Sequence, residues 1–124
     1  MGQQIAEAIT KNLPEADLLV IGTNTAATAA MLKGGARSGA TGENPIIVAC
    51  RDADVIVGPI GIISADSMFG EITPKMAVAV GQARALKLLL PVGHCNNQVI
   101  GVKNVSMNEM VRLTVERLKE LTEK

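Results

Sequence analysis

Leu18-Leu19-Val20-Ile21-Gly22-Thr23-Asn24-Thr25-Ala26-Ala27-Thr28-Ala29-Ala30-Met31-Leu32-Lys33 decides the reading of the fold. Four apolar residues stop at a glycine, three polar residues follow, and an alanine-rich run then continues to Gly34-Gly35. A short apolar run bounded by turn residues fits a buried strand, while alanine favours helix and glycine ends it. The pattern predicts a strand over about 18–22 and a helix over about 25–34. A strand that turns straight into a helix is the building unit of an open parallel α/β sheet, whose ligands lie outside the carboxyl ends of the strands.

The same ending occurs twice more. Asp54-Val55-Ile56-Val57 runs into Gly58-Pro59-Ile60-Gly61, and Leu88-Leu89-Leu90-Pro91 runs into Gly93-His94-Cys95-Asn96-Asn97. Upstream of the first strand, Ile5, Ala6, Ile9 and Leu13 recur at helical spacing until Pro14. Downstream, Gly34 to Asn44 holds four glycines and no apolar period, so it reads as a long loop. Pro45 then opens Ile46-Ile47-Val48-Ala49-Cys50, which reads as a strand buried on both faces. Arg51 to Asp54 is too short for a helical crossover to the next strand. Thr73-Pro74 has the form of an N-cap with proline at the first helical position, predicting a helix over about 74–84 and then a strand over 86–90. The apolar run Gln98 to Val102 follows a turn, and Ser106-Met107-Asn108-Glu109 has capping-box form before a long terminal helix. The expected architecture is one Rossmann-like α/β domain over residues 1–124, three layers around an open, mostly parallel sheet.

Composition narrows the partners. Twelve Lys and Arg balance twelve Asp and Glu, so no net field draws in nucleic acid or an anionic membrane surface. Phe69 is the only aromatic residue, which removes the usual stacking platforms for single-stranded nucleic acid. Cys50 and Cys95 form no C-x-x-C pair, and no histidine spacing suits zinc, so no metal site is expected and a reduced cytoplasmic setting fits best. No apolar run approaches the roughly 20 residues of a membrane span, and Met1-Gly2-Gln3-Gln4 lacks the features of a signal peptide.

Each candidate site residue has two readings. Gly22-Thr23-Asn24-Thr25 joins strand to helix, where free amides favour an anion, but Thr23, Asn24 or Thr25 could equally cap the helix. In the glycine loop, Arg37 offers a planar donor to carboxylate or phosphate, unless the loop is only a surface or subunit contact. The P-loop pattern is absent from that segment. Gly58 and Gly61 suit close approach to a ligand or a simple structural bend. Asp66 and Glu71 flank Phe69 in a polar loop and could act as acid–base groups, although loop carboxylates are commonly solvated or capping. His94 and Cys95 are adjacent, but nucleophile activation requires hydrogen-bond geometry, and a buried thiol is the default reading.

Several strings together resemble a small family of uncharacterised bacterial proteins that share a domain of unknown function. They are Gly22-Thr23-Asn24 with Ala27-Thr28 and Met31-Leu32-Lys33, Gly39-Ala40-Thr41-Gly42-Glu43-Asn44, Gly58-Pro59-Ile60-Gly61-Ile62, Ser67-Met68 with Gly70 to Met76, and Leu89-Leu90-Pro91 with Cys95. The resemblance spans nearly the whole chain and brings no activity with it. It implies that a strand and a glycine loop of the form D-G-Q-G-G-G-x-G precede the first helix, and that Met1-Gly2-Gln3-Gln4 falls where that loop ends. On that expectation the sheet lacks its first strand. Its neighbours must then close up or take an edge from another chain, which makes a homo-oligomer the expected state.

The resulting expectation is a binder of a small anionic ligand, a nucleotide or phosphorylated metabolite, along an edge formed by Gly22, Thr23, Asn24, Gly58, Gly61 and Asn96. Arg37 or Lys75 would supply charge, and no particular cofactor is implied. Two alternatives stand beside it. One is a small-molecule enzyme using Glu71 or His94 as acid–base group and Cys95 as nucleophile, and the other is a homo-oligomeric assembly protein.

Overall fold

The computed structural model describes residues 1–92 and 97–123. Within them the chain is mixed α/β, with five α-helices and short parallel strands in two small sheets. The residues cluster in two compact units. One holds Met1–Ala40 and the chain from Asn104 onward, and the other holds Thr41–Lys103.

In the first unit, α1 (Gly2–Asn12) buries Ile5, Ala6 and Ile9 along one stripe. Leu13 leaves helical geometry, and Pro14, which could not continue the helix, follows it. Strand β1 (Leu19–Gly22) turns into α2 (Thr25–Lys33), and β2 (Ser38–Thr41) returns beside β1. Buried Ala6, Val20 and Ala36 form one core cluster, with Leu18 and Met31 packed on it. Small residues let α1 and α2 approach closely: a Cβ added at Gly34 would stand 2.7 Å from the Gln3 carbonyl oxygen. The terminal helix α5 (Met107–Thr122) packs on α1 and buries Thr114 and Val115. Ser106 caps it by accepting from the Glu109 amide, at 3.1 Å.

The second unit pairs β3 (Val55–Pro59) with β4 (Leu86–Leu90) in parallel, from Val55 opposite Leu86 to Pro59 opposite Leu90. Between them run a 3-10 turn (Ile60–Ile63), a tight loop, and α4 (Pro74–Gln82). Thr73 caps α4 by accepting from the Met76 amide at 3.2 Å, and Met76 Sδ accepts the Thr73 amide at 3.4 Å. Ile72, Met76 and Ala77 form a buried cluster, with Ile46, Ile62 and Met68 packed against it.

Three expectations change. Residues 34–44 are not one loop, because β2 lies inside them, and its Ser-Gly-Ala-Thr sequence carries no apolar run to reveal it. Residues 46–50 are not a strand: 46–49 belong to α3 (Glu43–Ala49), which Cys50 follows and which packs on α4. Pro45 sits in the first turn of that helix, where its missing N–H costs no intrahelical bond. The short link Arg51 to Asp54 thereby makes sense, since it joins the end of α3 to β3 and no helix has to fit within it. Finally, the strands hydrogen-bond as two pairs, β1–β2 and β3–β4, where the sequence led to one open sheet. Residues 97–105 form neither helix nor strand.

Candidate functional site

The turn between β1 and α2 is a lock built around one hydroxyl. Thr28, on the first turn of α2, is buried, and its Oγ1 accepts the Gly22 amide at 3.2 Å. The same oxygen lies within donating distance of two carbonyls, Ala40 of β2 at 3.1 Å and Asn24 at 3.2 Å. One side chain thus ties the end of β1, the helix cap and the second strand. The close fit accounts for Gly22. A Cβ there would meet Thr28 Oγ1 at 2.4 Å and the Thr28 amide nitrogen at 2.5 Å. Gly22 is buried against its own helix, so its smallness serves packing.

Asn24 does what an N-cap does: its Oδ1 accepts the Ala27 amide at 2.9 Å from extended backbone, φ −145° and ψ 167°. Thr23 is half-buried, while Asn24, Thr25 and Ala26 are exposed. The amides of Thr25 and Ala26, first in the helix, have no intrahelical acceptor available to them. Of the three residues that could cap the helix, Thr23, Asn24 and Thr25, it is Asn24 that does so. The sequence signal for Thr28 is a threonine inside an alanine-rich helix, where propensity alone gives it no advantage.

In the second unit the carboxyl end of β3 holds Gly58, buried, where an added Cβ would approach the flexible tip of Ile62 at 3.0 Å. Gly61 is buried in the 3-10 turn, and its carbonyl accepts the hydroxyl of buried Ser67 at 2.5 Å. Beyond it the backbone enters the left-handed region at Asp66 (φ 66°), Met68 (56°), Phe69 (56°) and Gly70 (86°). The Asp66 amide donates to the Ile72 carbonyl at 2.7 Å and the Ile72 amide to Ser67 at 3.2 Å, closing the turn. Met68 packs against the cluster of Ile72, Met76 and Ala77, and Phe69 stands fully exposed. Glu71 is exposed, two residues before the Thr73 cap, and Lys75 is exposed in the first turn of α4.

Arg37 is exposed and immediately precedes β2, so it lies at the amino end of that strand, away from the carboxyl-end turn at Gly22 to Asn24. The structure brings together Gly22, Thr23 and Asn24, and places Gly58, Gly61, Glu71 and Lys75 in the other unit. His94, Cys95 and Asn96 lie outside the described residues. Cys50 follows α3 as a half-buried free thiol; burial pushes its pKa up, partly offset by the charge of Lys87. Among the described residues no group of three or more His, Cys, Asp or Glu side chains gathers to hold a metal ion, and no helix is long and apolar enough to cross a membrane.

An open groove of about 430 Å³ lies elsewhere in the first unit, between α1 and α5. Ala8, Val111 and Val115 supply its apolar lining and Arg112 its charge. That guanidinium is already engaged by Glu109 and by Glu116, the latter at 2.7 Å. None of the β1–α2 turn lines the groove.

No curated protein and no solved structure matches the chain. A family model described as a domain of unknown function, DUF3842, matches residues 1–123. With the match running over almost its whole length, the chain belongs to this uncharacterised domain family.

Proposed function

We propose that the chain binds a small anionic ligand, a nucleotide or phosphorylated metabolite, at the β1–α2 turn. One observation carries the reading: the Thr28 lock and the Asn24 cap hold an exposed helix start whose first two amides, of Thr25 and Ala26, have no intrahelical acceptor. That start sits at the carboxyl end of a strand, where ligands of open α/β sheets bind. The chain order supports the same family of folds. Both β1–α2–β2 and β3–α4–β4 run from strand through helix to strand, the repeating unit of a three-layer Rossmann-like arrangement. Arg37, at the other end of β2, is left out of the proposed site.

An exposed helix start contributes about 0.3–1 kcal/mol to an anion, so inorganic phosphate should bind weakly and a nucleotide or phosphosugar must add contacts of its own. The test is an amide NMR titration with inorganic phosphate, then AMP, on wild type and two variants. Wild type should show saturable shifts at Thr25, Ala26 and Ala27. Asn24→Asp preserves the cap while placing a negative charge beside the anion, so it should keep thermal stability and weaken binding several-fold. Asn24→Ala should lose about 1 kcal/mol of stability with the cap. If neither probe moves these amides in wild type, capping is the whole purpose of the turn and the proposal fails.

A further inference from the structure

We draw no further inference here: the strongest candidate, the tight turn of residues 66–70 that presents a fully exposed Phe69 on left-handed backbone, carries nothing because nothing in the structure shows what covers it.

Discussion

One methyl group added at Gly22 would stand 2.4 Å from the Thr28 hydroxyl oxygen and 2.5 Å from the Thr28 amide nitrogen. The first obstacle is a side chain and the second is backbone, so the two can be separated. Gly22→Ala should cost about 1–3 kcal/mol, the usual range for forcing a carbon into packed space. Adding Thr28→Ala should not restore stability, since the amide nitrogen stays in place. Urea unfolding checks both, and a double variant at wild-type midpoint would show that the hydroxyl alone excludes a side chain. Thr28→Val keeps the shape but leaves the Gly22 amide without its acceptor, an expected loss of about 1–3 kcal/mol that Thr28→Ser should largely avoid. Cys50 gives a test by pH. Because burial raises its pKa, the folded protein favours the neutral thiol. Any stability this adds is full below the pKa of the unfolded thiol and is lost as pH rises through the folded value. At pH 8, in a Cys95→Ser background, iodoacetamide should therefore alkylate Cys50 more slowly in the folded protein than in urea. Equal rates would show that Cys50 is not shielded.

At the scale of elements, legibility followed the strength of the local signal. Helices α1, α2, α4 and α5 were readable because each has a stop or cap that acts within a turn: Pro14, Gly34-Gly35, Thr73-Pro74 and Ser106. Strand β4 was readable as an apolar run. Helix α3 was not, since Ile46-Ile47-Val48 suits a buried strand as well as a short helix, and length could not arbitrate. The clue was the link Arg51 to Asp54, too short to hold a helix between two strands, which left 46–50 as the place for one. Strand β2 exists through pairing, and nothing in Ser38-Gly39-Ala40-Thr41 announces a strand. At the candidate site a cap among Thr23, Asn24 and Thr25 could be read, whereas the Thr28 lock depends on β2 and so on a strand that sequence alone did not show. Two elements also carry predictions. Phe69 holds left-handed backbone with its ring fully exposed, so Phe69→Asn loses no burial and takes a residue that tolerates φ near 56°. The expected gain is up to about 1 kcal/mol, seen as a rise of a few degrees in Tm, and a fall would mean that the ring contributes to the fold. In α5, a hydrogen bond from Arg112 and its charge hold the Glu109 carboxyl below its usual range. Its support for the helix is present above the pKa of an unfolded glutamate and lost as pH falls through the lowered folded value. Arg112→Gln should return Glu109 to the ordinary range in a carboxyl NMR titration.

Across the whole molecule, neither two-stranded sheet is large enough to stand alone, so each unit depends on the helices packed around its strands. In the first unit one buried cluster, Ala6, Val20 and Ala36, gains close approach more than volume, and Ile5 and Ile9 of α1 and Val115 of α5 are buried as well. In the second the largest fully buried side chain is Ile72, at 2% exposure, and it belongs to the turn entering α4 rather than to a strand or helix. It forms one buried cluster with Met76 and Ala77 of α4, against which Ile46 of α3, Ile62 of the 3-10 turn and Met68 pack, while its backbone closes the 66–72 turn. Removing it should loosen all of these together. Ile72→Ala is expected to cost about 2–5 kcal/mol, and Ile72→Val about 0.5–1.5 kcal/mol, against the roughly 5–15 kcal/mol of a typical domain. Hydrogen exchange should show the loss first at amides of α3, α4 and the 66–72 turn. If Ile72→Ala leaves their protection unchanged, the helices are held by other contacts, and Ile72 is buried without being what joins them.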